Sequence, residues 1–329
     1  MQSKCEIHKG DREIDESASD WKSVICRLER LLDRAEALLN SATSRLQITS
    51  ADDLLDEHIA FRWCSWNGSG NLLPIKHPDL VELGDLIGIA RQIEGVNRNT
   101  LQFLHGLPAN HVLLWGDRGT GKSSLIKGML RQYESHGLRL VEVNRDGLLH
   151  LQEIADVLWS RPERYILFCD DLAFSEGEPE YRELKAMLEG GIAARPENVL
   201  IYATSNRRHL MPRQVKENQF PGTDEDELYP REATEEKVSL SDRFGLRLAF
   251  YRIPQTTYLQ MVSHYARKHG ISIPTEELHR AALEWEASSS GRSGRVARQF
   301  VDNLKGRLGL ESGEGRDVGT AVSEDNVNQ

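Results

Sequence analysis

Several things are scarce in this 329-residue chain, and each scarcity removes a class of protein. It has four cysteines, Cys5, Cys26, Cys64 and Cys169, far apart and with no C-x-x-C spacing. That pattern excludes a disulfide-stapled scaffold and a cysteine zinc site, and it suits reduced thiols. No run approaches the roughly 18 consecutive apolar residues of a membrane span. Met1 to Asp20 is polar and charged, with no apolar stretch of signal-peptide length. The expected location is the cytoplasm, with no membrane contact. Positive charge is in deficit too: 41 basic against 51 acidic residues give a net charge of −10. Such a chain has no general attraction to nucleic acid or to anionic lipid.

What is present is globular in character, with 39% hydrophobic and 28% charged residues. Residues 1–18 read as disordered, and 19–79 as a helical extension ending in a linker. Val24, Ile25, Leu28, Leu31, Leu32, Ala35, Leu38, Leu39 and Ala42 form one apolar helical stripe. Phe61, Trp63 and Trp66 precede the turn-rich segment 67–71, which predicts a linker or a hairpin. From residue 80 to 253, short apolar runs alternate with helical patterns: strands at 112–115, 139–143, 165–169 and 199–204, helices at 123–135, 148–159 and 181–194. That rhythm predicts a parallel sheet with helices on both faces. The stretch 211–237 breaks it with Pro212, Pro221, Pro230 and an acidic run at 224–227, and reads as a mobile insertion. Residues 254–310 turn helical, and 311–329 read as a disordered tail.

The most specific signal is Gly116-Asp117-Arg118-Gly119-Thr120-Gly121-Lys122-Ser123, followed by Ser124. It fits G-x-x-x-x-G-K-[ST] and sits between an apolar strand and a helix, as a phosphate-binding P-loop requires. Glycines let backbone N–H groups converge on an anion, and the helix start adds its positive dipole end. Lys122 should reach the β- and γ-phosphates of ATP, and the Ser123 hydroxyl should ligate Mg²⁺. A second carboxylate site follows. The strand 165–169 ends in Asp170-Asp171, at the sheet edge where open α/β sheets bind ligands. Asp170 is placed to hold Mg²⁺ and Asp171 to orient water, although two aspartates at a strand end can also be helix caps.

With these motifs in place the chain resembles the AAA+ P-loop ATPases over roughly residues 80–305. It is similar above all to a bacterial ATP-binding family known as domain of unknown function 815. Beside the P-loop, the segments that carry the resemblance are 86–89, 107–110, 169–172 and Leu240-Ser241-Asp242-Arg243-Phe244-Gly245-Leu246. The resemblance implies a three-layer sandwich with a parallel central sheet, a small C-terminal helical lid and the N-terminal helical extension. It implies that Leu86, Ile87 and Gly88 lie against adenine, and that Asn206 contacts the γ-phosphate or the attacking water. Arg243 resembles an arginine finger acting in trans on a neighbouring copy in a homo-oligomer, the alternative being a surface arginine paired with Asp242. Arg295 and Arg298, one helical turn apart, both qualify as the lid arginine that senses the phosphate. Most such motors carry glutamate where Asp171 stands, which points to slow turnover. Three functions stay open: an ATPase that remodels a macromolecular partner, with a protein client expected; an ATP-gated switch; and a nucleic-acid loader. The last is supported by Arg207, Arg208, His209, Arg213 and Lys216 and opposed by the net charge.

Overall fold

The computed structural model describes residues 32, 34, 51–66, 69–175, 178–190, 196–207, 210, 240–289 and 291–311. Of the expected N-terminal helix only Leu32 and Arg34, both helical, fall among them. The expected insertion at 211–237 and the tail beyond 311 lie outside the described residues.

The chain divides into two compact units, residues 1–57 and 58–329. The first contributes one short described helix, α1 (Ala51–Glu57). The second holds a seven-stranded sheet. Its strands are β1 (Ala60–Trp66), β2 (Ser69–Pro74), β3 (Val112–Gly116), β4 (Leu138–Glu142), β5 (Arg164–Cys169), β6 (Val199–Ser205) and β7 (Leu246–Phe250), in the order β2-β1-β4-β5-β6-β3-β7. Among the described residues only the β1–β2 pair is antiparallel; the other pairings are parallel.

Two findings differ from the sequence expectation. The segment expected as a linker or a hairpin is the β1–β2 hairpin, but it belongs to the main sheet: β1 pairs in register with β4 through Ala60, Phe61 and Arg62. The α/β unit therefore reaches upstream of residue 80. The physical reason is period-two alternation: Phe61 and Trp63 are buried while Arg62 between them is exposed. The other difference is β7, an edge strand of five residues with no counterpart in the sequence reading, which completes the sheet beside β3.

Right-handed crossovers decide which helix covers which face. The chain leaves β3, passes through α3 (Lys122–Tyr133) and enters the sheet again three places away at β4. It then returns through α4 (Leu151–Leu158) to β5 and through α5 (Pro179–Glu189) to β6, moving the opposite way. The reversal puts α3 on one face and α4 and α5 on the other. On the first face Val112, Leu114, Ile166, Phe168 and Tyr202 form one core with Val96 and Phe103 of α2 (Ala90–Leu104) and with Leu125, Ile126 and Met129 of α3. Their strand neighbours Leu113, Leu167 and Ile201 are equally buried on the second face.

After β7 the chain forms three helices, α6 (Gln255–Lys268), α7 (Thr275–Ala287) and α8 (Gly294–Glu311), with their own core around Tyr258, Val262, Ala282, Ala297, Phe300 and Val301. This helical lid is pinned to the sheet unit in two places. The Gly294 N–H donates to the Gly119 carbonyl at 3.0 Å. At the far end Lys268 Nζ reaches Asp85 at 2.6 Å and Glu82 at 2.9 Å, and His264 Nε2 lies 2.9 Å from Asp85.

Candidate nucleotide site

The P-loop runs from the end of β3 to the start of α3. Gly116 has φ 132° and Gly121, which caps α3, has φ 99°, both in the region that favours glycine. A Cβ on Gly116 would lie 1.9 Å from the Phe250 carbonyl oxygen, so β3 and β7 approach this closely only because it has none. Two hydrogen bonds hold the loop, one internal and one to β7. Thr120 Oγ1 donates to the Asp117 carbonyl at 2.8 Å, and the Asp117 N–H donates to Phe250 O at 3.0 Å.

Lys122 is 7% exposed. Its ammonium donates to the carbonyls of Gly116 and Asp117, each at 2.7 Å, and to Asn206 Oδ1 at 3.1 Å. Burial holds this lysine below its ordinary pKa range, while Asp171, Asp170 and Asp117 pull the other way. A multiply charged anion beside it would favour the protonated form further.

Opposite stand the ends of β5 and β6. Ser123 Oγ donates to Asp170 Oδ1 at 2.7 Å, and Thr204 Oγ1 donates to the same oxygen at 2.5 Å. The Asp171 N–H donates to Thr204 Oγ1 at 2.9 Å. Asn206 Nδ2 donates to Asp171 Oδ1, and Arg118 Nη2 stands 3.7 Å from Asp171 Oδ2. Cys169, adjacent to this pair, is fully buried, and burial pushes its thiol up to about 12, so it is no nucleophile at neutral pH.

Lys122, Ser123, Asp170, Asp171, Thr204 and Asn206 line a cavity of about 780 Å³. Of the residues expected from sequence, Leu86, Ile87, Arg118, Gly119, Thr120, Gly121, Lys122, Ser123, Ser124, Asp170, Asp171, Asn206, Arg295 and Arg298 are on its wall. Gly88, Gly116 and Asp117 are not, and neither is Arg243. The Arg243 guanidinium is paired with Glu189 at the end of α5, its Nε donating at 2.5 Å, while Asp242 pairs with Arg247. Of the basic cluster only Arg207 is described, and its N–H donates to Ser205 Oγ at 3.1 Å. Among the lining residues that carry no expectation from sequence are Thr204, Tyr265, Lys268 and His269.

The donor set fits Mg²⁺. Among the described residues no cluster of three or more His, Cys, Asp or Glu is placed to hold a metal. Mg²⁺ at a phosphate site needs less, namely one carboxylate or two with a hydroxyl, completed by phosphate oxygens and water. Ser123 and Asp170, already 2.7 Å apart, are such a pair.

A P-loop after β3, carboxylates after β5, a polar strand end on β6 and a helical lid touching the P-loop define the AAA+ form of the P-loop fold. The model of the family described as "Protein of unknown function (DUF815)" matches residues 56–308, and the chain belongs to that family. No curated protein matches it. Similar solved structures include the RuvB Holliday junction branch migration motor of Thermotoga maritima, at 18% identity, with 70% of this chain and 66% of that chain covered and a TM-score of 0.48. The FIGL-1 AAA domain in complex with ADP is another, at 18% identity, with coverage of 76% and 80% and a TM-score of 0.46. A DNA replication initiation factor follows at 18% identity, 72% and 68% coverage and a TM-score of 0.44. The chain spans just under two thirds of the RuvB chain.

Proposed function

We propose that this protein is a Mg²⁺-dependent AAA+ ATPase that couples ATP binding and hydrolysis to the assembly or remodelling of a macromolecular partner. The observation that carries the reading is the convergence of Lys122, Ser123, Asp170, Asp171 and Asn206 on one cavity at one sheet edge, beneath Arg295 and Arg298.

Lys122 and the backbone N–H groups of 119–123 bind the phosphates. Leu86 and Ile87 offer an apolar surface to adenine. Ser123 and Asp170 hold the metal. When bound, Mg²⁺ would neutralise charge on the β- and γ-phosphate oxygens. Asp171 and Asn206 orient a water whose oxygen attacks the γ-phosphorus as the bond to the ADP oxygen breaks, giving ADP and phosphate. Asp171 accepts the proton of that water. Arg295 and Arg298 register the γ-phosphate and transmit its presence to the lid. Arg243 does not line its own chain's cavity, which suits action in trans on a neighbouring copy. A guanidinium there has a permanent charge and a fork matched to phosphate oxygens.

A second reading, a slow ATP-gated switch, is favoured by one observation: the Asp171 carboxylate is engaged by both Asn206 and Arg118. A protein client fits the net charge of −10 better than nucleic acid does.

The test is ATP hydrolysis per subunit across a wide range of protein concentration, for the wild type and Arg243→Ala. A shared active site predicts that specific activity rises with concentration and that the variant stays low and flat. Activity independent of both would remove the trans arrangement. Tight ATP binding with no turnover at any concentration would select the switch.

A further inference from the structure

Thr204 does not fit the description of an ordinary strand residue. It is the sixth residue of β6 and is 1% exposed. A valine would fill the same volume and suit a buried strand as well or better. The hydroxyl is therefore what needs explaining, and it has two partners, one on each aspartate. It donates to Asp170 Oδ1 at 2.5 Å and accepts the Asp171 N–H at 2.9 Å.

The second contact coincides with an unusual backbone. Asp171, at φ 53°, is the only non-glycine among the described residues in the left-handed region. Such a conformation persists where its surroundings over-determine it, and it is found preferentially at functional sites. Here β6 holds the turn on both sides: Thr204 Oγ1 takes the Asp171 N–H, the Thr204 carbonyl takes the Leu172 N–H at 2.8 Å, and Ser205 Oγ donates to the Leu172 carbonyl at 2.7 Å.

We propose that Thr204 is a positioning residue of the hydrolytic site, whose one hydroxyl fixes the orientation of Asp170 toward Ser123 and sets the left-handed turn that aims Asp171. This inference rests on the reading of the site as a MgATP hydrolase. It deepens that reading by tying the two carboxylate roles to a single group. The carboxylate that faces the metal and the one that faces the water are fixed together, and Thr204 acts through them.

The test compares Thr204→Val, which keeps the shape and removes the hydroxyl, with Thr204→Ser, which restores it. A fluorescent ATP analogue is titrated into each protein with Mg²⁺ and in EDTA, and kcat, KM and the melting temperature are measured beside it. The valine variant is expected to bind the analogue in EDTA within about twofold of wild type, and to lose about tenfold of the affinity that Mg²⁺ adds, the scale of one hydrogen bond to a charged group. Its kcat is expected to fall about tenfold or more with KM little changed, and serine is expected to recover most of both losses. Should the valine variant fail to fold, Thr204→Ala carries the same expectations. A folded variant with wild-type Mg²⁺ enhancement and kcat would overturn the proposal. So would an equal loss with and without Mg²⁺, or a loss that serine does not recover, since either is the mark of packing alone. A wild type that binds nucleotide without Mg²⁺ dependence and without turnover would instead sink the MgATP reading itself, and the role of Thr204 with it.

Discussion

Replacing Asp171 by glutamate puts the residue common in AAA+ motors at this position, and the structure says that it should make this protein worse. The reason is the backbone. Asp171 sits at φ 53°, where an ordinary L-residue pays about 1–2 kcal/mol and a short polar side chain such as aspartate pays less. Glutamate loses that discount, a difference of up to about 1 kcal/mol. Its longer chain also moves the carboxylate away from Asn206 Nδ2, now hydrogen-bonded to Asp171 Oδ1, at a further cost of about 1 kcal/mol. The two together come to roughly 2 kcal/mol, which in a unit of this size lowers the melting temperature by about 4–8 °C. Hydrolysis should fall about tenfold or more, because the carboxylate no longer stands where the turn aims it. Thermal melting and steady-state phosphate release at saturating MgATP measure the two effects independently. A glutamate variant that melts with the wild type and hydrolyses as fast or faster would refute the argument that the turn, rather than side-chain length, places this carboxylate.

Two further outcomes follow from the packing. Gly116→Ala should cost more than about 3 kcal/mol, since its Cβ meets the Phe250 carbonyl at 1.9 Å on a backbone at φ 132°; a denaturant midpoint equal to wild type would contradict the close approach of β3 and β7. Asp85 ties the lid to the sheet unit. Burial alone would raise its pKa, but hydrogen bonds from Lys268 and His264 outweigh that and hold it below the ordinary carboxylate value. The stabilisation is therefore fully present above the unfolded carboxylate pKa of about 3.9 and fades as pH falls through the lower folded value. Asp85→Asn should cost about 1–2 kcal/mol at neutral pH, and its melting curve should converge with that of wild type in acid; a gap that persists unchanged in acid would dismiss the latch.

The sequence made the P-loop and the carboxylate pair legible because both are local. Glycine spacing, one lysine and one hydroxyl specify the loop, and an apolar strand ending in two aspartates specifies the partner. Strands β3 to β6 were equally readable from their short apolar runs. What escaped was non-local. A hairpin was one of two readings of the β1–β2 segment, but its place in the main sheet was not legible, because its pairing partner, β4, lies some eighty residues downstream. β7 is five residues long, and it is completed by β3 rather than by its own neighbours in sequence. Thr204 was hidden for a subtler reason: threonine is an ordinary strand residue, and only the fold reveals that its hydroxyl lies between two carboxylate-bearing residues. Lys268 likewise looks like a solvated helix end until Asp85, 183 positions away, is brought to it. The glycines advertise backbone conformations that only they adopt, whereas Asp171 takes up its left-handed turn without any such warning.

The most direct test of the central claim is calorimetric titration of MgATP into the full chain and into Lys122→Ala. Lys122 is buried at the centre of the P-loop, and its ammonium is the lysine charge that the loop itself carries. The account predicts saturable binding by the wild type and a loss of about tenfold or more in the variant, the scale of a charge-assisted contact. Equal binding by the two proteins, or none by the wild type, would contradict it.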